Sequence, residues 1–289
     1  MTFYDIPGIR AQAASQVQEH RASTRKLVLI YCGVLALVSL GGNILTVLLD
    51  SGMGSTGGLD GIGMRSVLQS VQRMLYYITA FFGPFWGAGF VYAMLQLVRG
   101  RSPRPVDLTE GFRRFGRILM ATVYQALVLI GLALLLPTVA SMTIFAAVED
   151  PLVLTALILG LFLGVAVCVL YSFRMATYLM MERKIGGVAA LQLSRLMMRG
   201  RKRQFLKLDL SYWWYYVLSM LVTVVAYLDV FMQQLEIPLP MGETEMFFVT
   251  LVIYLILNTL LSLWKKCEVD AATLMLCEQI AADLTPPAM

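Results

Sequence analysis

Histidine, cysteine and charged residues are scarce in this chain of 289 residues. His20 is the only histidine, so neither a multi-histidine zinc site nor a Ser-His-Asp triad is expected. The four cysteines form no CxxC pair, which leaves a disulfide framework and a cysteine-based metal or redox site without support. Walker A, kinase and HExxH motifs are also missing. These absences predict a protein that is not an enzyme and that binds no metal or cofactor.

Long apolar runs are abundant instead. Hydrophobic residues make up 58% of the chain, charged residues 14%, and the mean hydropathy is +0.73. Six runs stand out, at residues 27–49, 74–98, 118–148, 152–173, 210–230 and 246–264. Their only charged residue is Asp229, next to the end of the fifth run. A hydrocarbon layer about 30 Å thick needs roughly 20 helical residues, so the runs predict an all-α polytopic membrane protein with six transmembrane helices.

The basic residues fall on alternate connections between these runs. Of the 23 Lys and Arg residues, only Arg65 and Arg73 lie on the other set of connections. The positive-inside rule therefore places both termini in the cytoplasm, and the multi-pass protein is expected in a plasma membrane. Residues 1–26 contain no cleavable signal peptide. The net charge of +5 follows mostly from this topology, so anionic lipid is a more plausible partner than nucleic acid, which is not expected.

Three regions follow from this pattern. Residues 1–26 form a cytoplasmic N-terminal segment, residues 27–264 the transmembrane domain, and residues 265–289 a cytoplasmic, amphipathic, acidic tail. The six runs suggest three α-hairpins, which are either an internal repeat or the ordinary rhythm of a six-span protein. Because anionic lipid repels an acidic helix, we expect the tail to dock on the basic loops of the protein itself.

An amphipathic helix is predicted on the basic side, at Val188–Arg199. Its polar residues recur every three or four positions, with Ala189 and Leu196 on the apolar side, so it is expected to be an interfacial helix in the headgroup layer. The predicted contacts with lipid headgroups in this region are Arg195, Arg199, Arg201, Lys202 and Arg203.

The second run contains the most unusual apolar stretch. Pro84, flanked by Gly83 and Gly87, removes a helical hydrogen bond at a position that counting from Met74 puts near the bilayer midplane. Such a break either forms a substrate site or is a packing kink. Gln125 and Asn258 are expected at similar depth, where they either join helices or contact a substrate. These five residues are the candidate intramembrane substrate or packing site.

A small-residue motif lies in the fourth run. Gly160 and Gly164 form a GxxxG pattern, which permits close approach of two helix backbones. The motif either packs against another helix of the same bundle or forms the interface of a homodimer, and the first interpretation is favoured.

Two segments resemble conserved patterns of a bacterial family of multi-pass membrane proteins of unknown function, DUF975. The first segment consists of Ser194, Met198, Gly200, Lys202, Leu206, Leu208, Leu210 and Ser211. The second consists of Gly83, Pro84, Gly89, Arg99, Gly100, Gly111 and Phe112. The resemblance spans about residues 80–216. It implies a six-span protein of a bacterial inner membrane, and it implies no reaction, cofactor or substrate.

The sequence favours a non-enzymatic function. We expect a scaffold or accessory factor that engages anionic lipids or another membrane protein, or a second copy of itself, through its basic cytoplasmic face. The alternative is a permease-like transporter of a small solute or lipid, with its site at the Pro84 kink.

Overall fold

The computed structural model describes residues 4–53, 60–144, 151–183, 185–228, 232 and 243–284, and these ranges contain helices and no β-strand. In chain order the helices are α1 Ile6–Glu19, α2 Arg21–Met53, α3 Asp60–Val98, α4 Glu110–Arg113, α5 Phe115–Ile144, α6 Pro151–Ser172, α7 Ala176–Arg183, α8 Gly187–Met197, α9 Lys202–Ser211, α10 Trp213–Ala226, α11 Glu243–Leu261 and α12 Cys267–Leu284. A 3-10 helix, Pro105–Thr109, precedes α4, and a π-helix, Ser262–Lys266, joins α11 to α12.

The six apolar runs lie on α2, α3, α5, α6, α10 and α11. The third run extends to residue 148, and its residues 145–148 lie outside the described ranges. The fifth run is broken near its start, where α9 and α10 meet at an angle of 73°. Tyr212 takes a non-helical conformation at this break, and its buried ring lies under the Arg10 guanidinium, 4.7 Å from the ring centroid. The buried Tyr212 ring thus lies at the bend, in contact with Arg10 of α1.

Four segments of the described chain are long and apolar enough to cross a membrane. They are Phe81–Val98, Phe115–Leu135, Leu159–Arg183 and Phe248–Asp283. Helices α9 and α10 would provide a fifth if the bent pair is one span. The chain thus has the helices of a membrane protein, whereas the number of six spans and their arrangement in hairpins stay predictions.

The long apolar helices pack in consecutive pairs, α2 with α3, α5 with α6, and α10 with α11. Much of their surface is uncovered: Leu127 on α5 and Met220 on α10 are 62% and 71% exposed, and α10 has no buried residue. Apolar side chains exposed along several helical turns are unfavourable in water and favourable in lipid. The exposed surface of these helices therefore suits a bilayer.

The tightly packed core lies at the end of the molecule that carries most of the basic residues. It consists of α1, the first turns of α2, the second half of α3, and α4, α7, α8, α9 and α12. We call this region the basic-side core. Its largest fully buried side chains include Phe205, Met94 and Leu191. The sequence assigned most of these segments to loops, helix ends and tail, so the main protein core was not anticipated.

The acidic tail helix, α12, runs through this core. Ala271, Ala272, Leu276 and Ile280 are completely buried, and the helix packs against α1 and α3. Its acidic residues also reach basic partners, since Arg99 pairs with Glu278 at 3.1 Å and with Glu182. The contact with basic residues agrees with docking, but the helix is a central element of the core and not a surface attachment.

Arg99 joins three elements at the edge of this core. Burial works against the charge of its guanidinium, but the hydrogen bonds to Glu182 and Glu278 outweigh that effect and raise the pKa of Arg99 above its usual value. The Arg99 guanidinium, directly after α3, is thus held between α7 and α12.

The connection between α3 and α5 folds back along α3. A Cβ atom at Gly89 would overlap the backbone carbonyl of Leu108, and one at Gly111 would overlap that of Phe85. Both positions therefore need glycine for close approach of two backbones. The 3-10 helix and α4 cover α3 beyond Pro84, in a segment that the sequence showed only as a connection between two apolar runs.

Helix α8 corresponds to the predicted interfacial helix but packs differently. Its buried face holds Ala190, Leu191 and Ser194, whose hydroxyl donates to the carbonyl of Ser172 at 2.9 Å. Ala189 and Leu196, expected on one apolar side, are exposed. The helix is thus part of the basic-side core, because its contacts with α5 and α7 select a different face from the one that the polar spacing suggested.

Gly160 and Gly164 approach no other helix in the part of α6 that the structure describes. A Cβ atom at either position would meet nothing within 4 Å, and both residues are exposed. The favoured reading of the GxxxG motif, packing within the bundle of one chain, is therefore wrong.

Candidate functional site

A cavity of about 400 Å³ lies beside Pro84, where the apolar helices join the basic-side core. Helices α2, α3, α5, α7 and α12 and the π-helix all contribute to its wall. Its polar and charged lining residues are Tyr31, Thr122, Gln125, Thr177, Lys266 and Asp270. The remaining lining residues are apolar or glycine. The cavity is therefore a partly polar space within a largely apolar helix assembly.

An ion pair lies in this wall. The Nζ atom of Lys266 is 3.3 Å from a carboxylate oxygen of Asp270, one helical turn further on. It also lies over the rings of Phe90 and Tyr31, 5.2 and 5.7 Å from their centroids. Two aromatic faces and a carboxylate thus stabilise the ammonium group in a poorly solvated place.

The π-helix positions Lys266. Ser262–Lys266 adds a wider turn between α11 and α12, and such turns are frequent at functional sites because they redirect the side chains that follow. Here the turn occurs where the exposed apolar helix α11 becomes the buried helix α12.

Three of the five candidate site residues meet at this cavity. Pro84, Gly87 and Gln125 line it, whereas Gly83 and Asn258 are not among its lining residues. At Gly83 and Gly87 an added Cβ atom would meet nothing within 4 Å, so neither glycine is required for helix packing. Gly89 and Gly111 have that role instead.

The structure places Pro84 relative to α5. Phe85, next to Pro84, stacks on Phe115, the first residue of α5, with ring centroids 4.7 Å apart. Pro84 thus lies level with the beginning of α5. Its position near the bilayer midplane stays a prediction.

Lys266 and Asp270 were missed by the sequence reasoning. Both follow the sixth run directly, and basic residues at that place were interpreted as topology signals. The i, i+4 spacing of opposite charges, typical of a helix that continues, was the signal that could have found them.

The chemistry available in the cavity is hydrogen bonding and charge pairing. Gln125 offers a donor and an acceptor, the two threonines offer hydroxyl groups, and Lys266 and Asp270 offer opposite charges. Its described lining residues include no serine, cysteine or histidine. Across the described ranges, no group of three or more His, Cys, Asp or Glu residues could hold a metal ion.

The predicted lipid contacts divide into two groups. Arg195, Arg199 and Arg203 are exposed. Arg201 and Lys202 instead donate to backbone carbonyls, those of Met197 at 3.4 Å and Cys168 at 3.0 Å. The first group is available to a headgroup, while the second mainly ties α6, α8 and α9 together.

A second polar cluster joins the end of α6 to the bend between α9 and α10. The guanidinium of Arg174 donates to both carboxylate oxygens of Asp209, in one case at 2.7 Å. The hydroxyl groups of Tyr171 and Tyr216 donate to the same carboxylate. All donors serve one acceptor group, so this cluster has the arrangement of a structural clamp.

Comparison with known proteins now identifies the family. The model of the family described as "Protein of unknown function (DUF975)" matches residues 9–238 of this chain. The chain belongs to the DUF975 family. The match confirms the resemblance and extends it to α1 and α2. Lys266 and Asp270 lie beyond the matched DUF975 region, whereas the cavity residues on α2, α3, α5 and α7 lie inside it. No curated protein and no solved structure matches the chain.

Proposed function

We propose that this DUF975 protein is a non-enzymatic protein of a bacterial plasma membrane, in which the basic-side core engages anionic lipids or a membrane-protein partner. It would have six spans in three hairpins, with both termini in the cytoplasm. The observation that supports this best is the division of the molecule into exposed apolar helices and a compact, basic core. A core of this kind at a membrane surface is suited to headgroups and to partner proteins.

The level of the membrane surface is suggested by exposed tryptophans. Trp213, Trp214 and Trp264 lie at the junction between the apolar helices and the core, and their rings are exposed. Exposed tryptophans at such a boundary are typical of the headgroup region. Arg195, Arg199 and Arg203 would then face the headgroups from the core.

The connection between α3 and α5 begins to cover α3 at Phe85. This connection carries the exposed residues Arg104 and Arg113, which would lie at the headgroups and not in hydrocarbon. Residues 85–98 pack against α4, the 3-10 helix, α7 and α12. The consecutive packing of the long helices supports the three hairpins.

Reporter fusions test the topology. Fusions at residues 57, 149 and 240 should report the outside, and fusions at residues 105, 195 and 285 should report the cytoplasm. A cytoplasmic signal from residue 149 would remove the third or fourth span.

Native mass spectrometry of the detergent-extracted protein tests the binding of lipid or a partner, since a scaffold or accessory factor should retain anionic lipid or a partner protein. A protein free of both would contradict the proposal.

The cavity beside Pro84 favours a second candidate, a transporter of a small solute or lipid. Its volume of about 400 Å³ and its polar lining would admit a small molecule. The pair Gln125→Leu and Asn258→Leu separates the two candidates, because only Gln125 lines the cavity. For a transporter, Gln125→Leu should abolish the cellular phenotype and Asn258→Leu should not; for a scaffold, both variants should retain it.

A further inference from the structure

A second cavity, of about 640 Å³, lies between α3, α4 and the first turn of α5. It is lined by Tyr92, Glu110, Arg113, Arg114, Gly116 and Arg117. Three of the six residues are arginines and one is acidic. The cavity is therefore a basic depression, and it contains none of the residues around Pro84.

The arginines of this depression are held in different ways. Arg114 is fixed, since its Nη1 donates to the carbonyls of Met180 and Met181 and its guanidinium lies over the Tyr92 ring at 5.6 Å. Arg113 donates to Glu110 at 2.6 Å. No ion pair involves Arg117 in the described part of the chain. The single carboxylate of Glu110 faces three guanidinium groups, so the depression keeps a net positive charge. The guanidinium of Arg114 is already held in place.

An apolar stripe continues from the depression along α5. Arg117, Met120, Tyr124 and Leu127 follow one another at spacings of three or four residues, so they lie on one helix face. Met120 and Leu127 are 61% and 62% exposed, and Tyr124 is also exposed. A guanidinium above several exposed apolar turns matches a molecule with an anionic head and a hydrocarbon chain.

We infer that this depression binds the phosphodiester headgroup of an anionic phospholipid, whose acyl chain lies along the stripe on α5. The inference rests on the proposed function. It places the lipid contact at Arg113, Arg114 and Arg117 and not at the exposed arginines near α8. Guanidinium groups suit this ligand because their donors match phosphate oxygens in pairs. The apolar stripe is the reason to assign a lipid and not a soluble phosphate.

The test uses the full chain in detergent and native mass spectrometry with added phosphatidylglycerol. Phosphatidylcholine with the same acyl chains is the neutral comparison, and inorganic phosphate is the soluble competitor. The variant R113Q/R117Q removes two charges from the depression. The comparison variant R195Q/R199Q removes two exposed charges from the region of α8, which the proposed function also places at the headgroups.

A third variant, Gly116→Leu, blocks the depression without changing its charge. A Cβ atom at Gly116 would meet nothing within 4 Å, and leucine is favoured over glycine in a helix, so this protein should fold. We expect R113Q/R117Q and Gly116→Leu each to weaken retention of phosphatidylglycerol roughly tenfold or more. The variant R195Q/R199Q should weaken retention less than either depression variant does, because its two arginines are exposed and line no depression.

Each other result has a distinct meaning. Loss in R195Q/R199Q but not in the depression variants would overturn the inference and leave the proposed function standing. Equal binding of both lipids by all four proteins would overturn the inference and the proposed preference for anionic lipid. If inorganic phosphate fully displaces phosphatidylglycerol and Leu127→Ser has no effect, the depression binds a soluble anion. That result would overturn the assignment of a lipid as its ligand.

Discussion

Gly111 packs directly on the backbone of Phe85, so that a Cβ atom at Gly111 would overlap the Phe85 carbonyl oxygen. The contact attaches α4 to α3 one residue beyond Pro84. Gly89 makes a similar contact with Leu108 one turn further along α3. Because backbone meets backbone at both places, rotation of a side chain cannot make room for a larger residue.

Gly111→Ala should therefore be strongly destabilising. We expect a loss of about 3 kcal/mol of unfolding free energy, the upper range for an overpacked core, with a reduced folded yield. Thermal unfolding in detergent measures the effect. Gly87→Ala and Gly160→Ala are the matched controls, since both positions have open space and a helix favours alanine over glycine. Equal stability of Gly111→Ala and the controls would contradict the close contact.

The pair of Arg174 and Asp209 should stabilise the junction of α6 with α9 and α10. Asp209→Asn keeps the size of the side chain but leaves a partly buried guanidinium without its counterion, which should cost about 3 kcal/mol. The corresponding change at an exposed pair, Glu110→Gln, should cost less than about 1 kcal/mol. Denaturation curves compare the two. Equal effects would mean that Asp209 is not a structural clamp.

The buried tail helix gives a third prediction. Leu276→Ala should cost about 3 kcal/mol because it opens a cavity in a fully buried place, whereas Leu196→Ala on the exposed side of α8 should be nearly neutral. Removal of residues 268–289 should prevent the basic-side core from folding. Size-exclusion profiles of detergent extracts check this. A monodisperse truncated protein would show that α12 is dispensable.

Variants of the cavity beside Pro84 give a fourth prediction. Pro84→Ala restores a helical hydrogen bond, so we expect unchanged or slightly higher thermal stability and a retained cellular phenotype. Gly87→Leu should also fold, because its side chain would extend into the cavity, and for a scaffold its phenotype should be normal. Loss of the phenotype in either variant, at normal yield and stability, would make the transporter the better assignment.

The sequence predicted the helices well because long apolar runs have few other stable forms. Each of the six runs is mainly helical where the structure describes it, with a break at Tyr212 in the fifth run, and the family resemblance was also correct. Part of the cavity lining could be predicted as well, since a proline between glycines indicates a helix break within an apolar run. The i, i+4 spacing of Lys266 and Asp270 indicates a helix that continues, but nothing local shows that this helix runs toward α3 and the cavity.

The sequence by itself determined the long apolar helices, the membrane character and the side on which basic residues collect, because these depend on composition and on periodicity along one segment. Only the tertiary structure decided which apolar surfaces face protein and which remain exposed. Residues 85–98 and the exposed part of α5 have the same apolar character, yet α4, the 3-10 helix, α7 and α12 pack against the first, whereas Leu127 is 62% exposed. The reason is physical: lipid and protein interior both favour apolar side chains, so hydropathy cannot distinguish them. The distinction arises from long-range contacts, such as those of Gly111 with Phe85 and of α12 with α1.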